Sequence, residues 1–202
     1  MKIILVRHGE TDVNAAGCYL GHFDAKLNPK GQEQIRQLTK KLKGIVTEGI
    51  TRLYASDLSR AVESAQIIGE ALRLTPTLVS ALRELHFGDW ECKTYEAIVA
   101  QEQELLERWI QNPFQISPPN GETLQQLGKR VDDWLWHILS HAYPDESIII
   151  VSHGGPIRWF CSKWLRDNEQ EFWNVKGIPH GKGGMVEFDP QTRIFTAMNQ
   201  IT

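Results

Sequence analysis

Two aliphatic runs constrain this 202-residue chain most: "KIILV" at residues 2–6 and "SIIIVS" at 147–152. Neither alternates apolar with polar side chains. A strand that is apolar on both sides must be covered on both faces, and sheets covered that way are mostly parallel. The segments between the runs supply the cover. "GQEQIRQLTKKLKGIV" carries Ile35, Leu38, Leu42 and Ile45 at helical spacing. "RLYAS" predicts a short strand, and "DLSRAVESAQIIGEAL" a helix with Asp57 placed to cap it. "TPTLVSALRELHFGDWE" predicts a strand followed by irregular chain. Residues 94–111 read as helical, and "NPFQISPPNG" breaks any helix. "GETLQQLGKRVDDWLWHILSHA" sets Leu124, Leu127, Val131, Trp134 and Ile138 on one face. "GGPIRWFCSKWL" restarts a helix, and "GGMVEFDPQTRIFTAMN" predicts a hairpin turning at Asp189-Pro190. The expected fold is a three-layer α/β/α with a mostly parallel central sheet and an antiparallel C-terminal hairpin. It is expected to be one domain over 1–202, with a helical insertion at about 90–120 near the site.

Composition narrows the function classes. A formal net charge of −3 gives no global basic field for nucleic acid or anionic membrane. Any anion site must be local. The three cysteines, Cys18, Cys92 and Cys161, are far apart and lack CxxC spacing, so neither a disulfide framework nor a zinc site is expected. No apolar run approaches the roughly 20 residues of a membrane span. "MKIILVRHG" turns polar too early for a signal peptide. These readings predict a reducing, cytoplasmic setting. His137 and His141 have the i, i+4 spacing of metal ligands, but no third ligand accompanies them, and histidine is favoured at a helix end. The tryptophans at 134, 136, 159, 164 and 173 read as packing.

In open α/β sheets, ligands bind beyond the carboxyl ends of the strands. "ILV" ends in Arg7-His8-Gly9, "LYAS" leads to Arg60, and "IIIVS" ends in His153-Gly154-Gly155. Alone, His8 would read as an ordinary polar strand end. Together the groups describe a pocket. Two arginine forks suit a phosphate. Glycines allow close backbone approach. The helix after His153 would offer free amides to an anion. Two cations beside two imidazoles suit a phosphoryl group better than a metal.

These segments carry a resemblance. "LVRHGET", "YASDLSRAVESAQII", "LRELHFGDWE", "NGET" and "VSHGG", in that order from residue 2 to about 158, resemble the motifs of the histidine phosphatase superfamily, the phosphoglycerate mutase-like fold. The resemblance implies a phosphomonoesterase that works through a phosphohistidine, with no metal or organic cofactor. It implies that His8 is the nucleophile, Glu84 the proton donor, and His153 a catalytic group holding the phosphoryl oxygens. Arg7, Asn14, Arg60 and Gly154 would bind the phosphate. Mutases of the family tend to run longer and carry paired arginines in the middle insertion. This chain stops at Thr202, and residues 94–120 contain only Arg108, so a phosphatase is expected. Cys92 stands where the broad phosphatase pattern has glycine. With "YLGH" and "PPNGET", this resembles the branch that removes the 5′-phosphate of α-ribazole 5′-phosphate in cobalamin assembly. A broad-specificity or sugar-phosphate phosphatase is the alternative. From loop position, Tyr19, Gly21, His22, Arg83 and Trp90 are expected to line the substrate pocket. The expected partner is a small phosphomonoester, for a monomer or homodimer.

Overall fold

The computed structural model describes residues 1–46 and 51–201. Its strands are β1 (Lys2–Arg7), β2 (Thr51–Ala55), β3 (Thr77–Leu78), β4 (Ser147–Ser152), β5 (Gly183–Asp189), β6 (Ile194–Phe195) and β7 (Asn199–Ile201). Its α-helices are α1 (Asp12–Ala15), α2 (Pro29–Ile45), α3 (Ser59–Leu72), α4 (Tyr95–Gln111), α5 (Leu124–Ser140) and α6 (Gly154–Trp159). The sheet runs β3-β2-β4-β1-β5, and the far edge of β5 carries both β6 and β7. The pairs β3–β2, β2–β4 and β4–β1 are parallel, while β5 lies antiparallel to β1. This is the mostly parallel sheet that the two aliphatic runs demand.

The pleat divides those runs between two cores. Ile3, Leu5, Ile148 and Ile150 face Leu135, Ile138, Ile157 and Phe160 of α5 and the α6 region. Their neighbours Ile4, Val6, Ile149 and Val151 face Ile35, Leu38 and Leu42 of α2 and Ala61, Ala65 and Ile68 of α3. Successive side chains of a strand point to opposite faces, so one run feeds both layers. A third cluster gathers Trp90, Ile98, Leu106 and Trp109 against Leu124, Leu127 and Trp159. It seats α4, which falls within residues 90–120. That helix kinks at Glu102, whose carboxylate accepts the Trp90 indole N–H.

Three local expectations change. Asp57 does not cap α3. Its carboxylate is taken by the Arg83 fork at 2.7 and 2.6 Å. The helix start is served instead by Asp24, which accepts the Ser59 amide and hydroxyl at 2.7 Å each. The C-terminal hairpin forms, but β6 pairs only at Phe188↔Phe195 and Asp189↔Ile194, and β7 returns to pair with the start of β5. The helix after His153 is α-helical for six residues and then widens into a π-helical turn at Phe160–Trp164.

Candidate active site

The parallel register of β1 and β4 sets Arg7 opposite Ser152. One residue further on, the His8 amide donates to the Ser152 carbonyl at 3.0 Å. His8 and His153 are thereby brought side by side, with ring centroids 4.9 Å apart. Both rings are buried at the sheet's carboxyl edge. A polar strand end would have been solvated, and these two are not.

His8 is fixed in one tautomer. Its Nδ1 lies 2.7 Å from the Gly9 carbonyl oxygen. A carbonyl only accepts, so Nδ1 carries the proton and Nε2 keeps its lone pair. Gly9 makes this turn possible, because a Cβ there would sit 2.3 Å from the Gly31 carbonyl oxygen. Burial holds the imidazole well below its ordinary pKa, and the Arg60 guanidinium adds to this. The Gly9 hydrogen bond opposes the shift without reversing it. His153 is likewise held well below the ordinary value, by burial first and Arg60 second. Burial is thus the larger cause, ahead of the arginine charges.

Arg60, in the first turn of α3, is completely buried. Its Nη2 donates to Gly21 O at 2.6 Å and its Nη1 to Phe23 O at 3.0 Å. That loop is itself held by Glu91, whose carboxylate accepts the amides of Gly21, His22, Phe23 and Phe87. Burial lowers Arg60 to about 10, which leaves it cationic at neutral pH. Arg7 donates from Nη1 to Ile178 O at 3.1 Å. The Nε of Arg7, the Nε of Arg60 and both ring nitrogens of His153 are buried with no protein partner. Buried polar groups are nearly always paired. An oxyanion beside His8 would accept from the two Nε–H groups and from the one His153 nitrogen that carries a proton.

Glu84 is buried against the same residues. Its Oε1 accepts Leu85 N at 2.8 Å and Gly155 N at 2.9 Å. Burial raises its pKa, while those amides, Arg7 and Arg60 pull the other way. The net effect favours a protonated carboxyl more than water would. The position that needs glycine is 155, where a Cβ would fall 2.2 Å from Glu84 Oε1. At Gly154 a Cβ would meet Arg7 and Glu84 at an ordinary 3.5 Å. One helix-start amide expected to face an anion is therefore already used by Glu84.

The remaining expected residues divide. Asn14 Oδ1 accepts from the Thr11 amide and hydroxyl in a capping box, which leaves its Nδ2 hydrogens for a ligand. His22 donates from Nε2 to Glu84 O at 3.0 Å and packs on His86 with ring centroids 4.4 Å apart. Tyr19 stands edge-on to Phe87 at 5.0 Å. Gly21 has both backbone polar groups occupied, by Glu91 and Arg60. Arg83 spends its fork on Asp57. Trp90 has no exposed surface and packs inside the third core cluster, so it does not meet a ligand. One residue went unread in the sequence: His180, whose ring lies 5.3 Å from that of His8. Its signal was a third His-Gly pair, "PHG", after "RHG" and "SHG". Among the described residues no group of three or more His, Cys, Asp or Glu is arranged to hold a metal. No described helix is long and apolar enough to cross a membrane.

Fold and site define an α/β protein that gathers two guanidiniums, a carboxyl and buried imidazoles at the carboxyl edge of its sheet. The chain belongs to the histidine phosphatase superfamily (branch 1), whose family profile matches residues 3–201. It is 28% identical over 199 residues to the adenosylcobalamin/alpha-ribazole phosphatase of Escherichia coli K12, covering 98% of this chain and 96% of that one. It is 35% identical over 159 residues to phosphoglycerate mutase-like protein 4 of Arabidopsis thaliana, covering 78% and 68%. Among solved structures, the alpha-ribazole phosphatase of Shigella flexneri superposes with a TM-score of 0.86 at 25% identity, covering 100% of this chain and 96% of that one.

Proposed function

We propose that this histidine phosphatase is a phosphomonoesterase that forms a phosphohistidine on His8 and acts on α-ribazole 5′-phosphate. The observation that carries the chemistry is the Gly9 hydrogen bond, which leaves Nε2 of a neutral, buried His8 free to attack. In the first step the Nε2 lone pair forms the N–P bond while the ester P–O bond breaks. Glu84 gives its proton to the departing alcohol oxygen. Arg7 and Arg60 balance the charge spread over the non-bridging oxygens, and His153 and Asn14 Nδ2 add hydrogen-bond donors. In the second step the Glu84 carboxylate takes a proton from water. The water oxygen bonds to phosphorus, the N–P bond breaks, and its electrons return to Nε2. The sequence of steps regenerates the enzyme and needs no metal, since two guanidiniums occupy the place a cation would take.

The substrate rests on different support: the likeness over almost the full chain to the Escherichia coli phosphatase, together with Cys92, "YLGH" and "PPNGET". Tyr19, His22 and Arg83 lie on the loops that would receive the leaving group, and Gly21 shapes one of them. The protein is read as one domain working in the cytoplasm, as a monomer or homodimer. The net charge of −3 supports a small-molecule partner over nucleic acid or membrane.

The test is a panel of phosphate esters compared by kcat/KM, containing α-ribazole 5′-phosphate, sugar phosphates, the phosphoglycerates and p-nitrophenyl phosphate. The first is expected to lead. A sugar phosphate in the lead would overturn the substrate and leave the enzyme class. Interconversion of phosphoglycerates without release of phosphate would make the chain a mutase. His8→Ala is expected to abolish turnover and the acid-labile, base-stable phosphate trapped on the wild type. EDTA is expected to change nothing.

A further inference from the structure

His180 sits in the turn before β5, and its place beside His8 is built by backbone. The Gly181 amide donates to both Arg7 O and His8 O, at 3.1 and 2.9 Å. The Arg7 amide donates in return to Lys182 O at 3.1 Å. Gly181 makes the turn with φ +64, where a Cβ would also lie 2.3 Å from Gln34 Cβ. The turn is therefore locked to the residue that carries the attacking nitrogen. The ring reaches within 5.3 Å of the His8 ring. Although the residue as a whole is only half-buried, its Nε2 is buried and has no partner. In that respect it joins the Nε atoms of Arg7 and Arg60 and both nitrogens of His153. Four chain segments thus deliver unpaired polar atoms around one nucleophile.

We propose that His180 is a further ligand of the transferring phosphoryl group, donating Nε2–H to one of its non-bridging oxygens. The inference rests on the phosphohistidine reading of His8. Its charge state suits the role. Burial and the cations of Arg7, Arg60 and Lys30 lower the imidazole to about 4, against a smaller opposing pull from Glu10. A neutral imidazole has one N–H, and an anion facing Nε2 selects the tautomer that carries it there. The ring then adds a donor without a third full charge next to His8. A cation at that point would lower the nucleophile's own pKa further, but it would also tighten the product phosphate and slow its release.

The test compares His180→Phe, which keeps the ring volume and removes both nitrogens, with His180→Asn, which restores an N–H. Inorganic phosphate binding is measured by calorimetry, and kcat/KM with p-nitrophenyl phosphate. His180→Phe is expected to lose roughly tenfold to a hundredfold in both, the scale of one hydrogen bond to a charged group. His180→Asn is expected to recover most of the loss. The proposal is overturned if folded His180→Phe binds phosphate within twofold of the wild type, or if His180→Asn does no better than His180→Phe. Should His180→Phe fail to fold, by circular dichroism, His180→Leu takes its place under the same criteria. Phosphate binding needs no turnover. A wild type that binds phosphate but leaves no phosphate on His8 would thus remove the catalytic reading while His180 is still judged.

Discussion

At the residue scale, Glu84 and the imidazoles make opposite demands on pH. Glu84 has a raised pKa, so its acid form persists above the range of an ordinary carboxyl. Its proton matters most when the departing alcohol is a poor leaving group. Glu84→Gln is therefore expected to lose about 10²- to 10⁴-fold in the phosphorylation step with an alkyl phosphate. With p-nitrophenyl phosphate, whose phenolate leaves unaided, the loss in burst rate is expected to be far smaller. Equal losses would mean that Glu84 acts only by position. The histidines bear on stability. His8, His153 and His180 all have folded pKa values below the ordinary 6.5, and His180 lies at about 4. As pH falls below 6.5 the unfolded chain takes up protons first, so the stability these groups contribute is full above 6.5 and is lost on the way down. Urea midpoints at pH 7.5, 5.5 and 4.5 are expected to fall in that order, and His180→Phe to show the shallower decline. A wild-type midpoint that rose on acidification would contradict the assignment of neutral, buried rings.

At the element scale, the site depends on loops that hold one another. Glu91 gathers four amides, and the loop it shapes offers two carbonyls to Arg60. Arg130 does comparable work on the other side. It donates to the carbonyls of Ala81, Arg83 and Glu84 and pairs with Glu122, so the segment bearing the acid is tied to α5. Glu91→Ala would leave the Gly21, His22, Phe23 and Phe87 amides to find other partners. It is expected to lower kcat/KM roughly tenfold or more and stability by about 1–3 kcal/mol. Normal kinetics would show that the 21–23 segment keeps its shape without the carboxylate.

At the scale of the whole molecule, β1 and β4 are the supports on which everything else is hung. Ile149 is completely buried and lies at the centre of β4, packed with Ile4, Val6 and Ile68. Ile149→Ala is expected to cost about 2–5 kcal/mol, read as a drop in the urea midpoint at constant slope. Activity per folded molecule is expected to survive, since the carboxyl edge of the strand is held by the β1–β4 and β2–β4 ladders. A loss of activity without loss of stability would place Ile149 in the chemistry, contrary to its burial.

The sequence by itself determined the doubly covered sheet, because "KIILV" and "SIIIVS" admit no exposed face, and it determined the carboxyl edge as the place where His8, Arg60 and His153 meet. It also placed Glu84 in the segment that reaches them. What it could not carry was the spending of hydrogen bonds. Whether Asp57 caps a helix or clamps Arg83, whether Gly155 N serves an anion or Glu84, and whether Trp90 faces a ligand or the core are each decided by a partner far along the chain. His180 is the clearest instance. Its neighbour His8 is 172 positions away in sequence, and only the antiparallel return of β5 along β1 brings the rings together. Periodicity and motif order are local or sequential properties, whereas the pairing of a polar atom is settled by whichever segment the fold delivers to it.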